Sequence, residues 1–147
     1  MNSPHSDTTT DGIRVQAAAE YLAQDNLPPE FAAADHGSKP HFVFRYKITL
    51  TNVGDSTARL LARHWIIVDS DGRREDVRGR GVVGEFPKLL PGESHSYLSY
   101  CPLPTKWGTM EGSYTFERED GKRFVVNIGR FFLVPQAPPL RLESPSR

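Results

Sequence analysis

The feature that most constrains this chain is a strict alternation of side chains over residues 42–50. Every second position is aromatic or aliphatic, and the members are Phe42, Phe44, Tyr46, Ile48 and Leu50. Charged or hydroxylated residues fill most of the positions between them. Because successive side chains of an extended strand point to opposite faces, this pattern predicts a β-strand with one face on a core and the other in water.

Other segments continue this strand chemistry and are separated by turn signals. Further strands are predicted over residues 58–69, 73–78, 94–101, 110–117 and 123–133. The first of these is more uniformly apolar than residues 42–50, which predicts a central strand. The second is charged, which predicts an edge strand that discourages further pairing. Asp71-Gly72 and Asp120-Gly121 indicate tight hairpins, and Gly129-Arg130 indicates a bulge.

Residues 15–23 fit two patterns. The alanines at 17–19 favour a helix by intrinsic propensity, whereas Val15, Ala17, Ala19 and Tyr21 also fit the period of two that is typical of a strand. Propensity alone gives the helix a slight advantage. Six or seven short strands without a repeated βαβ unit predict an all-β sandwich.

Length and composition limit the organisation and the partners. The 147 residues fit one domain. Residues 1–11 are polar and residues 136–147 are rich in proline, so both are predicted to be flexible tails around a domain over 12–135. The formal net charge is zero, so no general field attracts the chain to nucleic acid or to an anionic membrane.

Cysteine usage and hydropathy predict a cytoplasmic protein. Cys101 is the only cysteine, which excludes an intramolecular disulfide and suits a reducing compartment. The first residues lack the apolar core of a signal peptide. No apolar run approaches the roughly 20 residues that a membrane-spanning helix needs.

Four longer motifs, taken together, are similar to those of the ApaG family. They read LLARHWII (60–67), GRGVVGEFP (79–87), LPGE (90–93) and GTMEGSY (108–114), with Asp69, Gly72, Tyr97 and Ser99 between them. The resemblance covers roughly residues 13–135. It implies an immunoglobulin-like or fibronectin type III-like β-sandwich of about seven antiparallel strands. In such a fold residues 15–23 form the first strand, so the resemblance overrides the helix propensity there.

The resemblance also implies a class of function. Bacterial ApaG proteins are named for a gene neighbourhood with a diadenosine tetraphosphate hydrolase and are associated with cobalt and magnesium sensitivity. Similar domains occur in eukaryotic F-box proteins and in a polymerase-delta-interacting protein, where protein binding is the expected role. No catalytic residue set is established for the family. The chain is therefore expected to be a non-enzymatic protein-binding module, with an enzyme acting on nucleotide phosphates as a weaker alternative.

Residues 79–84 match the G-x-G-x-x-G pattern of dinucleotide-binding loops. That pattern requires a following helix within a βαβ unit, and Pro87 and the surrounding strands do not supply one. A weaker hypothesis is a local anion nest that binds a phosphate-containing small anion through Gly79, Gly81 and Gly84 with Arg78 and Arg80. The favoured alternative is that the glycines permit turns and close backbone approach, while the arginines solvate an edge strand.

No metal, cofactor or catalytic site is predicted. The five histidines have no ligand spacing, although His64 and His95 lie on different predicted strands and could meet across a sheet near Cys101. The cysteine precedes Pro102 at a strand end, where a buried and inert thiol is the expected state.

The two tryptophans receive different interpretations. Trp65, on the predicted central strand, is expected in the core. Trp107 lies in a loop after Pro102 and Pro104. It is either an exposed contact for a protein partner or a plug over one end of the sandwich. Both interpretations of Trp107 stay open at this point.

Overall fold

Two antiparallel sheets face each other in this protein. The computed structural model describes residues 3–23, 27, 42–135 and 140, and within them it contains nine strands and no helix. The strands are β1 (His5–Thr10), β2 (Ile13–Tyr21), β3 (Phe42–Asn52), β4 (Ala58–Asp69), β5 (Arg74–Arg80), β6 (Lys88–Leu89), β7 (Ser94–Leu103), β8 (Gly108–Arg118) and β9 (Arg123–Leu133). The predicted all-β sandwich is confirmed.

The strand order shows how the predicted elements assemble. The first sheet has the order β1-β2-β3-β7, and the second has the order β5-β4-β8-β9, with the two-residue β6 also paired to β4. The strand predicted over residues 58–69 is β4, which lies inside the second sheet, and the charged segment predicted as an edge is β5. Both predictions are confirmed.

The core lies between the sheets and is rich in aromatic rings. Phe44, Tyr46, Ile48 and Leu50 point into it from β3, as the alternation predicts, and each is at most 6% exposed. Trp65 enters from the opposite sheet, with its ring centroid 5.3 Å from that of Tyr46 in an edge-to-face arrangement. Such aromatic pairs add roughly 0.5–1.5 kcal/mol beyond their burial of area. The prediction that Trp65 belongs to the core is confirmed.

The predicted turns and the bulge form at the expected positions. The amide of Gly72 donates to the carbonyl of Asp69 at 3.0 Å, and that of Gly121 donates to Arg118 at 2.9 Å. Met110 pairs with Phe131, whereas Gly112 pairs with Ile128. Two residues of β9, at 129 and 130, therefore lie opposite one residue of β8, which is the predicted bulge.

The N-terminal end forms a hairpin of two strands, where the sequence predicts a flexible tail and favours a helix. Residues 5–10, predicted to lie in a flexible tail, form β1 instead. The physical reason is a hairpin: Thr10 pairs with Ile13 across Asp11 and Gly12, whose φ angles of 47° and 85° suit a tight two-residue turn. The helix favoured by propensity over 15–23 is wrong, and the strand that the resemblance implies is confirmed as β2.

Both ends of the described chain return to β2. The amide of Ala19 donates to the carbonyl of Pro4 at 3.1 Å, and the amide of Leu140 donates to the carboxylate of Glu20 at 3.1 Å. Apart from Leu140, the predicted C-terminal tail lies outside the described residues. In the described part of the chain, no helix is long and apolar enough to cross a membrane.

Candidate binding face

The side of the second sheet that is turned away from the first sheet is called here the outer face. Strand alternation and register place on it, among others, Arg74, Asp76, Arg78 and Arg80 of β5, His64 and Ile66 of β4, Glu111 and Ser113 of β8, and Val125 and Asn127 of β9. An open depression of about 460 Å³ crosses its middle, between His64 and Asn127. The face is therefore shallow and mixed in polarity, a shape that suits a broad contact better than an enclosed ligand.

Ion pairs satisfy the carboxylates of the outer face. Asp76 Oδ1 accepts a hydrogen bond from Arg74 Nε at 2.7 Å, and Asp76 Oδ2 lies 2.7 Å from His64 Nε2. The bond from Arg74, followed by that from His64, holds the pKa of Asp76 well below its usual value. Glu111 is paired in the same way with Arg130 at 2.5 Å.

The arginines of this region outnumber the acids that pair with them. Among the described residues, Arg78 and Arg80 have no carboxylate partner, and the guanidinium of Arg80 instead lies 5.3 Å from the ring centroid of Phe86. The β5 end of the outer face is consequently positive.

The glycine motif adopts the geometry of an edge strand followed by a tight turn. Gly79 and Arg80 end β5, and Val82 and Glu85 then exchange backbone hydrogen bonds of 2.8 and 2.9 Å. The amide of Gly81 donates to the carbonyl of Leu61 at 2.8 Å. These amides therefore donate to protein carbonyls, and the phosphate hypothesis for this loop stays a prediction.

Close backbone approach explains why glycines occupy this stretch. The guanidinium of Arg63 lies over Gly79, where an added Cβ would be 2.6 Å from Nη2. Arg63 Nη1 donates to the carbonyls of Arg80 at 3.1 Å and Gly81 at 2.8 Å. A Cβ on Gly81 would lie 2.5 Å from the carbonyl oxygen of Glu85. This geometry agrees with the favoured alternative for the motif.

The turn after Gly81 closes one side of the sandwich. Val82 is 1% exposed and belongs to the core, whereas the next residue, Val83, is 62% exposed at the tip of the turn. Val83 and Gly84 have φ angles of 48° and 78°. A positive φ is a genuine outlier for a β-branched residue such as valine.

Trp107 lies at one corner of the second sheet. It is 41% exposed and stacks on Phe132, with ring centroids 6.3 Å apart and an interplanar angle of 23°. The loop is fixed by Thr105, whose hydroxyl accepts from the amide of Ser70 at 3.1 Å and donates to the carbonyl of Trp107 at 2.9 Å. The indole thus has one face supported and one part open to solvent.

The residues considered for metal or nucleophilic chemistry are placed apart. His64 is in the second sheet, and His95 is in β7 of the first sheet, 3.7 Å from a carboxylate oxygen of Glu85. No group of three or more His, Cys, Asp and Glu side chains that could hold a metal ion occurs in the described ranges. Burial, with a smaller effect of Glu75, raises the pKa of the Cys101 thiol to about 12.

Sequence reasoning missed an inward-facing polar cluster. Tyr97 and Tyr114 share a hydrogen bond of 2.5 Å between their hydroxyls, and the charge of Arg63 acts on both rings and on Tyr46. Arg63 is two positions from Trp65 on the same strand, so it points to the same side. This spacing of two residues along a strand is the signal that could have placed Arg63 against the core.

Comparison with known proteins decides the family. The model of the ApaG domain matches residues 32–118. The ApaG protein of Azoarcus sp. is 44% identical over 128 residues, covering 87% of this chain and 94% of that protein.

The chain belongs to the ApaG family.

Other relatives agree with this assignment. The ApaG protein of Bdellovibrio bacteriovorus is 42% identical over 127 residues, covering 86% of this chain and 93% of that protein. The crystal structure of a Bordetella pertussis protein described as ApaA has a TM-score of 0.73 and 36% identity, covering 92% of this chain and 98% of that one. The X-ray structure of a structural-genomics target matches with a TM-score of 0.74 and 36% identity, covering 93% of this chain and 96% of that one. The family resemblance predicted from the motifs is confirmed.

Proposed function

We propose that this ApaG-family chain is a non-enzymatic binding module of the cytoplasm that acts by protein–protein interaction. The observation that carries the proposal is the supported, half-open indole of Trp107 on Phe132. Tryptophan is enriched among the residues that dominate binding energy, because a large rigid ring loses little conformational entropy on contact. Phe132 holds the ring in place before a partner arrives.

The state of the candidate nucleophile supports a non-enzymatic role. A thiol acts as a nucleophile only when it is deprotonated, and the raised pKa of Cys101 keeps it protonated at neutral pH. The buried thiol is also compatible with a reducing compartment.

An affinity capture with matched variants tests the proposal. The wild-type protein, Trp107→Ala and Val53→Ala are immobilised and exposed to a lysate of Pseudomonas putida, which has an ApaG protein 44% identical to this chain. Val53 is a fair control because it is 55% exposed and lies in the turn after β3, at the opposite end of the strands from Trp107.

The expected result is a protein that both the wild type and Val53→Ala retain and that Trp107→Ala loses. With that partner purified, calorimetry should show binding weakened by about thirtyfold or more, as for a central aromatic anchor. Thermal unfolding of Trp107→Ala shows whether the variant is folded. If the folded variant retains the same proteins as the wild type, Trp107 is not the anchor and the proposal is wrong.

A further inference from the structure

The free edge of β5 is the second feature of the molecule that is suited to a partner. β5 pairs with β4 along one side only, and no described strand pairs with its other side. Five of its seven residues are exposed. An open edge presents unpaired N–H and C=O groups, which are a template for an added strand.

Three arginines without a carboxylate partner among the described residues surround the end of this edge. Arg78 and Arg80 point to the outer face, and the guanidinium of Arg63 lies over Gly79 on the other side. Residues two apart along a strand are about 7 Å apart, so Arg78 and Arg80 do not converge on one small anion. Their spacing matches alternate carboxylates of a neighbouring extended chain, which lie opposite them across a strand pair.

Exposed apolar side chains continue this edge. Phe86 is 39% exposed beside Arg80, and Val83 is 62% exposed at the tip of the adjoining turn. A two-residue turn with positive φ at both positions is strain-free with Asn-Gly, whereas valine in the left-handed region is strained. An exposed valine held in a strained backbone conformation points to a use for its side chain.

We propose that the open edge of β5, together with the turn at 82–85, receives an acidic, extended segment of a partner protein as an added antiparallel or parallel strand. This inference rests on the proposed function, because it names the class of protein segment that binds. Carboxylates at alternate positions of the segment contact Arg78 and Arg80. An apolar side chain at one end of the segment packs on Val83 and Phe86.

Fluorescence anisotropy with defined peptides tests this inference. The probe is a fluorescein-labelled peptide of about ten residues with alternating glutamate and valine and a leucine at each end. It is compared with the same peptide carrying lysine for glutamate and with one whose alternate amides are N-methylated. A single-stranded oligothymidylate of equal charge represents a nucleic-acid ligand. Because strand addition needs backbone donors, only the unmodified acidic peptide is expected to bind.

Variants locate the binding on the protein. Arg78→Glu with Arg80→Glu is expected to weaken binding about tenfold or more, since like charges then face each other. Lys47→Glu, on the outer side of the first sheet, makes the same change of charge per residue and should leave binding unchanged. Val83→Asn should raise the midpoint of thermal unfolding by removing strain and at the same time weaken peptide binding several-fold.

The outcomes separate the inference from the proposed function. Failure of the acidic peptide to bind, with Trp107-dependent capture intact, overturns the inference alone. Equal binding of the N-methylated peptide or of the oligothymidylate also overturns it, because the contact is then one of charge without strand addition. In a third outcome, Trp107→Ala captures the same proteins as the wild type, while the acidic peptide binds the wild type and not the arginine double variant. Trp107 is then not the anchor, and β5 is supported as the contact.

Discussion

Gly112 lies where the backbones of β4 and β8 approach each other closely. In register it is opposite Trp65, and a Cβ at this position would overlap the carbonyl group of His64. These obstacles are fixed, because the atoms nearest to such a Cβ are all backbone atoms of His64 and Trp65. The missing side chain is thus a condition for pairing the two strands that support the outer face.

The residue-scale prediction follows from that overlap. Gly112→Ala should lower the free energy of unfolding by about 3 kcal/mol, the upper end of the usual loss when a core position is overpacked. Chemical denaturation measures it. Ser113→Ala, the neighbouring position that points outward, is the control and should change stability by about 0.5 kcal/mol or less. Equal free energies of unfolding for the two variants would show that β4 and β8 can move apart at Gly112 without loss of stability.

Individual side chains show what the sequence can and cannot specify. The alternation in β3 and the apolar run of β4 place Phe44 and Trp65 in the core, because burial of large apolar side chains dominates the choice of face. The spacing of Arg63 from Trp65 indicates its side of the sheet but not its hydrogen-bond partners, the carbonyls of Arg80 and Gly81. Those carbonyls come near only after the chain has folded.

At the scale of elements, β1 is the strand that joins the two sheets. Its main-chain partner is β2, and its side chains also reach β9: Ser6 Oγ donates to the carbonyl of Gly129 at 2.7 Å, and Thr10 Oγ1 accepts from the amide of Asn127 at 3.2 Å. A Cβ on Gly129 would lie 2.5 Å from Thr8 Oγ1. β1 therefore covers the edge where the two sheets meet.

Removal of β1 gives the element-scale prediction. A chain shortened to begin at Asp11 loses the pairing with β2 and the contacts with β9. Each hydrogen bond lost should lower the free energy of unfolding by about 1 kcal/mol. Hydrogen exchange should accelerate at Ala17 and Val15 in β2 and at Asn127 in β9. Amides at the β4–β8 junction, such as that of Tyr114, serve as internal controls. Unchanged protection of Asn127 would contradict the role given to β1.

The elements also differ in how far the sequence predicts them. Seven strands follow from alternation, hairpin signals and the family resemblance, but β1 and the short β6 do not. β1 is made of polar and β-branched residues that bury little apolar area, so its composition resembles that of a tail. The Asp11-Gly12 pair carries the same turn signal as Asp71-Gly72, and it is the local evidence that would have revealed the first hairpin.

The candidate site is less predictable than the fold. The motif at 79–84 is visible in the sequence, but its geometry depends on Arg63 from another strand and on the burial of Val82. The exposure of Trp107 depends on its stacking on Phe132, 25 positions further along the printed sequence. Binding surfaces are assembled from distant segments, and a local pattern does not report which segments meet.

At the scale of the whole molecule, buried tyrosine hydroxyls and a buried thiol make the free energy of unfolding depend on pH in the alkaline range. Burial raises the pKa of Tyr46, Tyr97 and Tyr114 above 10.0 and that of Cys101 from 9.0 to about 12. Since the folded pKa values are the higher ones, the stabilisation is complete below pH 9. It is progressively lost as the pH rises above 9, because the unfolded chain releases these protons first.

The whole-molecule prediction is a steep alkaline loss of stability. The free energy of unfolding should fall above pH 9 by up to about 1.4 kcal/mol per pH unit for each group that stays protonated only in the folded state. Denaturant titrations between pH 8 and pH 11 measure the slope, and absorbance at 295 nm follows tyrosine ionisation. Tyr97→Phe should lower stability at pH 8 and reduce the slope. A free energy that is constant from pH 9 to pH 11 would exclude this coupling.

The meeting of both described chain ends on β2 has a consequence for the order of the strands. The carbonyl of Pro4 and the amide of Leu140 contact consecutive residues, Ala19 and Glu20. Segments this close could be covalently joined by a short linker, and the chain could then be reopened at an exposed turn such as that at Asp71-Gly72. The sheets depend on which strands are neighbours in space, so such a circularly permuted gene would still encode the same sandwich.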